Sequence, residues 1–477
     1  MASVSSVVSS SGLRANRAAH SPDEPATSRL VALALPAVPT YALMLAFAMY
    51  VPAYTTAALG LDLAVAGVLF MVARLLGAAL DPAVGRWSDR TTSPLGKRKP
   101  WVIGGMLLGL LTLPLVFFPN PLSHSSTLVV ALGVIALTAT MTVIQTPLTA
   151  WAGDASRQYH GRTRAQAAIA FASAIGVLIA QLIPAAVDQV DLFRDVGRVP
   201  ALGIVITALL LLSLYTSAVV PDRSNERASR SHAPRNESLR AALASISRDR
   251  ILMRVIGSDF FVSLGQGIRT ALFIFFVTFY MDLPQWGPAL FLLQTAFGLL
   301  VAPLWQRIGR HLGKQRTVLI AEGLQIATNL LLLLLAPRSV GLLIALTVAQ
   351  GLTQGAGNLM LRAIVADVAE LHRLRWGTER GGMLFSIFNV TMNAAAATAI
   401  GLVFPLLAYL GFQPQGANSS SALTSLHWLF ALGPAFGHAV SAALVWGLPV
   451  DEDSFARQRA ALMPRHPTDD FTGVTQS

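Results

Sequence analysis

The 477-residue sequence has no cysteine. Disulfides, thiol nucleophiles and thiolate metal sites are therefore excluded. Charge is also scarce: Asp, Glu, Lys and Arg make up 12% of the chain, where a soluble domain carries about a quarter. Patterns that carry covalent chemistry are missing as well. There is no Ser–His–Asp, CxxC or HExxH arrangement, and Gly309-Arg-His-Leu-Gly313-Lys314 has the wrong interval for a nucleotide-phosphate loop and lacks its Ser/Thr. His427 and His438 stand alone, without metal-ligand spacing. The sequence thus predicts neither an enzyme nor an ATP-driven pump, and no cofactor or metal. Residues 1–29 are Ser-rich with Arg14, Arg17 and Arg29, and lack the apolar stretch of a secretory signal. They are expected to form a disordered cytoplasmic tail, with a transit peptide as the alternative.

What the chain has is apolar length. The hydrophobic fraction is 54% and the mean hydropathy +0.58. Twelve apolar segments are predicted at 30–58, 63–84, 101–119, 127–151, 164–187, 200–220, 252–280, 286–306, 316–336, 339–364, 382–410 and 425–448. Each approaches the ~20 residues with which a helix crosses a ~30 Å hydrocarbon layer. The expectation is an all-α membrane protein of twelve transmembrane helices in two six-helix halves, 30–220 and 251–449. The basic stretch 221–250, with Arg223, Arg227, Arg230, Arg235, Arg240, Arg248 and Arg250, joins them, and 450–477 forms a second tail.

Orientation follows from the positive charge. With both termini in the cytoplasm, only Arg194, Arg198 and Arg338 of the 35 Lys and Arg residues fall outside, and Arg74, Arg269 and Arg362 lie within segments. The outer loops hold Asp62, Asp188, Asp191, Asp195 and Asp282. The net charge of +11 is therefore a topology signal and does not point to nucleic acid. The partners expected are the lipid bilayer, a small solute and a coupling ion, for a monomer in the cell (inner) membrane.

The first hairpin on the basic side reads Asp81-Pro-Ala-Val-Gly85-Arg86-Trp-Ser-Asp89-Arg90-Thr-Thr-Ser-Pro-Leu-Gly96-Lys97-Arg98-Lys99-Pro100-Trp101. Gly85 and Gly96 allow close approach and a tight turn. Asp89 can pair with basic residues or with a helix N-terminus to latch the halves together. Later, Asp367-Val-Ala-Glu370 leads to Gly377-Thr-Glu379-Arg380-Gly381, and Pro147-Leu-Thr-Ala-Trp151-Ala-Gly-Asp154 precedes Arg162-Thr163. These stretches resemble the major facilitator superfamily, and within it the glycoside–pentoside–hexuronide:cation symporters. The resemblance covers about residues 40–450. It implies the two-half major-facilitator fold and symport of a sugar or glycoside with H⁺ or Na⁺. An exporter of drug-like or natural-product amphipathic molecules is the alternative reading.

The resemblance also places site positions, several of them substituted. The family's two coupling carboxylates on helix II fall at Gly77 and Asp81, so only Asp81 remains, which favours a proton over Na⁺. Its sugar-site positions fall at Tyr41, Gln145, Thr149 (with Trp151 close by), Ile169 and Asn393, and none of them is charged. Hydroxyl, amide and ring groups of this kind hydrogen-bond and stack on sugars. Ionisable residues within membrane segments are candidate sites by default. Arg74 shares a helix face with Asp81, as a structural pair or a coupling element. Asp259 and Arg269 are read as lining the substrate cavity, the alternative being that Arg269 partners Asp259 or Glu322. Glu322 is a second proton carrier, or else a partner of Arg316. Asp367 and Arg362, with Arg380, Asp89 and Arg90, are read as gate elements. Gly351-x-x-x-Gly355 and Gly105-x-x-x-Gly109 are read as packing positions.

Overall fold

Apolar runs of this length in a medium without water must satisfy every backbone group internally, and the helix is the local way to do so. The computed structural model describes residues 27–118, 126–154, 159–189, 196–219, 249–376 and 381–448. Among them are twelve helices long and apolar enough to cross a bilayer. They are α1 (Thr27–Ala57), α2 (Leu63–Arg90), α3 (Lys99–Phe117), α4 (Thr127–Gly153), α5 (Thr163–Gln189) and α6 (Arg198–Ala218) in the first half. The second half holds α7 (Arg250–Tyr280), α8 (Pro284–Leu312), α9 (Lys314–Leu334), α10 (Val340–Val368), α11 (Ile387–Tyr409) and α12 (Ser420–Val445). The chain is an integral, multi-pass membrane protein. The assigned tails and linker (1–29, 221–250 and 450–477) lie almost wholly outside the described residues.

Helix ends follow local chemistry. Asp62 caps α2 by accepting from the backbone N–H groups of Ala64 and Val65, at 2.9 and 3.0 Å. Asp249 does the same for α7, accepting from Ile251 and Leu252. Large side chains such as Leu111, Phe171, Tyr215 and Leu300 stay outward, as a lipid-facing surface requires. Three helices are interrupted. α1 bends at Leu35–Pro36, where proline removes a backbone donor. α7 closes on a π-helical turn, Phe276–Tyr280. α10 breaks between Thr353 and Ala356, with Gly355 at φ +79°.

That break corrects one reading. Gly355 is the turning residue, and a Cβ there would meet nothing within 4 Å, so it is not a packing position. Gly351 and Gly105 do pack closely: an added Cβ would lie 2.5 Å from the Gln294 carbonyl oxygen and 2.6 Å from Ile144, respectively. A cavity of about 290 Å³ opens beside the α10 break, against α8, with Thr295, Trp305 and Gln354 in its lining.

The halves meet along α2 and α11 and are stitched at one end. There Arg198 of α6 donates to the Pro284 carbonyl of α8, while Gln415 donates to the Thr56 carbonyl at the end of α1, at 2.8 Å. The opposite end carries the basic hairpins, and the ion pairs described there link groups of one half. Arg98 pairs with Asp89 and reaches Asp154 at 3.5 Å, and Lys314 pairs with Asp367.

Candidate functional site

The site residues divide by half, and in the first half two consecutive residues of α4 organise them. Gln145 donates its side-chain amide to the Tyr41 hydroxyl of α1 at 3.0 Å. Thr146, next in the chain, donates its hydroxyl to the Asp81 carboxylate of α2, also at 3.0 Å. Tyr41, Gln145, Thr146 and Asp81 are all half-buried. A carboxylate in a hydrocarbon layer needs hydrogen-bond donors or a counter-charge, and Thr146 supplies one donor.

Arg74 supplies no counter-charge to Asp81: no ion pair joins them. Its guanidinium lies over the Phe47 ring at 5.8 Å, and its Nε has no hydrogen-bond partner. Between them on the helix, Gly77 faces α4, where a Cβ would come within 2.7 Å of the Thr138 methyl. The position where the family resemblance expects a second carboxylate is thus the point at which α2 and α4 nearly touch. A side chain there has no room.

The other first-half positions separate. Thr149 is exposed and turns its hydroxyl back to the Gln145 carbonyl at 2.8 Å. Trp151 is only 3% exposed and packs in the core, so its ring is not offered to a solute in this conformation. Asn393 is half-buried on α11.

In the second half, polar groups run deep. Arg269 is buried, and its guanidinium donates to Asn329 of α9 at 3.2 Å and to Gln294 of α8 at 3.4 Å. It also lies over Phe430 of α12, 5.2 Å from the ring centre. Gln294 then donates to Gln354 at the α10 break, at 2.7 Å, and Gln325 donates to Thr353 at 2.8 Å. All these partners belong to the second half. Arg269 is therefore held by its own bundle, and it pairs with neither Asp259 nor Glu322.

Asp259 is fully buried, and both its oxygens lack a hydrogen-bond partner. Arg362 of α10 is the cation whose field reaches it. Glu322 bonds His438 of α12 at 2.5 Å, so Arg316 is not its partner. His427, the other buried histidine, meets the Leu332 carbonyl at 2.8 Å.

The gate residues pair within halves. Asp89 and Asp367 bind Arg98 and Lys314 of their own halves, and neither of these bonds crosses between halves as a latch. Arg90 is exposed, Gly85 is in ordinary contact with Thr146, and Gly96 turns the hairpin at φ +100°. Arg380 lies outside the described residues.

Sequence reasoning missed the amide network of Gln294, Gln325, Asn329 and Gln354, the Gln266–Asn358 bond between α7 and α10 at 3.1 Å, and His438. Amides isolated in apolar helices carried the only signal.

The chain is 23% identical over 413 residues to a glucuronide carrier protein homolog of Escherichia coli, covering 86% of this chain and 89% of the relative. It is 21% identical over 404 residues to an uncharacterized symporter of Bacillus subtilis, at 83% and 86% coverage. Among solved structures, the nucleoside transporter NupG matches with a TM-score of 0.65 at 14% identity, covering 88% of this chain and 98% of that one. The last likeness establishes the fold alone. A family model described as MFS/sugar transport protein matches residues 32–452, and the chain belongs to that family.

Proposed function

We propose that this protein is a secondary transporter that moves a sugar or glycoside together with a proton, by alternating access between its two halves. Glucuronides are the first solutes to test, because a relative is named a glucuronide carrier homolog and another a symporter. The observation that carries the reading is the α4 pair Gln145–Thr146. One residue bonds Tyr41 on the solute side and the next bonds Asp81 on the ion side. Protonating Asp81 removes the charge that Thr146 answers, and a shift of Thr146 carries Gln145 with it. Ion and solute are thereby linked over one peptide unit.

In this scheme Tyr41, Gln145 and Asn393 contact solute hydroxyls, Asp81 carries the proton, and Glu322 is a second proton carrier. The conformation described here is closed at the end stitched by Arg198 and Gln415. The excess of Lys and Arg at the other end supports a cytoplasmic setting for it, in a scheme in which the protein works as a monomer in the inner membrane. The Asp89–Arg98 and Lys314–Asp367 pairs set the hairpins that move at that end.

An Asp81→Asn variant tests this scheme: it should exchange solute across vesicle membranes but lose gradient-driven accumulation. Full accumulation by that variant would refute the role of Asp81. The uncharged set Tyr41, Gln145 and Asn393 also suits a larger amphipathic solute, the exporter reading. Inhibition of glucuronide counterflow by hydrophobic cations would favour that reading.

A further inference from the structure

His438, isolated in the sequence, is joined to Glu322 in the fold. Its Nδ1 lies 2.5 Å from Glu322 Oε2, and the two side chains are 4% and 2% exposed. The second carboxylate oxygen, Oε1, presses on α10, where a Cβ at Gly357 would lie 2.3 Å away. One oxygen is thus held by an imidazole, and the other faces α10 at Gly357.

Among the described residues, no ion pair with a second charged group involves this pair. On the helices packed against it, Lys314 is tied to Asp367, Arg269 to Asn329 and Gln294, and Arg254 to the Leu444 and Trp446 carbonyls. Arg362 lies over Phe388 and acts on Asp259. Arg316 is on α9 itself, two turns nearer the basic end, and Arg307 and Arg310 of α8 lie at that end as well.

A carboxylate and an imidazole in hydrogen-bond contact hold their protons jointly. With one proton it is neutral, whether written as carboxylate and imidazolium or as acid and imidazole. With none, it holds a unit of charge in a low-dielectric interior without a counter-ion, which is costly.

We infer that Glu322 and His438 together bind one transferable proton within the second half, beside the break in α10. Gly357 lies two residues past Gly355, so the charge state of the pair bears directly on the segment that turns there. When the proton leaves, the uncompensated carboxylate pushes that segment toward water, and this couples the proton to the bend of α10. What the proton drives rests on the transport reading proposed above; that the pair holds it does not.

The test is infrared difference spectroscopy of the full-length protein in lipid vesicles, without solute, stepped from acid to alkaline pH. Carboxyl and imidazole bands should change together in the wild type. Both changes should vanish in H438Q and in E322Q alike, and survive in H427Q. A Glu322 carboxyl change that persists in H438Q, or no joint change in the wild type, would overturn the inference. The wild-type reading needs no variant, so a misfolded substitution does not blunt it.

The second arm measures para-nitrophenyl glucuronide in the same vesicles. E322Q should lose accumulation driven by a pH gradient. Accumulation by E322Q equal to wild type would overturn the coupling. Absence of counterflow in the wild type would count against the transport reading and leave the spectroscopic result standing.

Discussion

The two halves share one architecture and handle buried charge in different ways. In the first half, the half-buried carboxylate Asp81 is bonded to the hydroxyl of Thr146, next to the polar pair Tyr41–Gln145. The second half buries an arginine in an amide network, an acid–imidazole pair, and an aspartate without hydrogen-bond partners. Charge near a water-filled path can exchange protons and meet a solute, whereas deep charge must be answered by the bundle itself. In the transport scheme proposed above, Asp81, Tyr41 and Gln145 of the first half carry primary coupling and part of the solute contact, Asn393 of α11 adds to that contact, and the rest of the second half supplies a polar frame whose protonation acts on the bend of α10.

The largest effect expected from breaking this contrast is that of Asp81→Asn, which should remove gradient-driven accumulation entirely while counterflow continues. Flux assays in vesicles read this directly. Next comes Arg269→Ala. It leaves Asn329 and Gln294 without their donor inside the bundle, at about 1–3 kcal/mol for each orphaned group. The variant should lose several degrees of thermal stability in detergent. Unchanged melting would show that Arg269 is not held as described.

A smaller effect belongs to Gly77→Ala, whose methyl group meets Thr138 at 2.7 Å. Overpacking of this sort costs about 1–3 kcal/mol, and a companion Thr138→Ala should restore most of it. The same crowding predicts that Gly77→Asp lowers stability and creates no Na⁺-dependent uptake. Asp89→Asn is expected to matter least for stability. Its partner lies in its own hairpin and it is 61% exposed, so the loss should stay below about 1 kcal/mol.

Much of this was legible in the sequence. The twelve apolar segments gave the helices, because a bilayer leaves a long apolar run few alternatives. Where the ends moved, water explains it. The segment 63–84 became a helix running to Arg90, since the polar Asp81–Arg90 stretch continues the same helix beyond the apolar layer. The segment 339–364 hid a break, because Gly355 reads in sequence like one more small packing residue.

Site chemistry was legible where it was local, as with Asp81 in its motif and Gln145 near Tyr41 by family register. It was not legible where it depended on distant helices meeting. Glu322 and His438 are 116 residues apart, and no pattern in either helix announces the other. The partners of Arg269 were hidden for the same reason: its depth was readable, but the amides that hold it lie on α8 and α9.

The central claim is that a proton on Asp81 drives a sugar or glycoside. Its most direct test is uptake of para-nitrophenyl glucuronide into vesicles under an imposed pH gradient, compared with an equal Na⁺ gradient at fixed pH. The account predicts accumulation with the pH gradient alone, reduced to simple equilibration by Asp81→Asn. Equal accumulation driven by Na⁺, or undiminished accumulation in the variant, would contradict it.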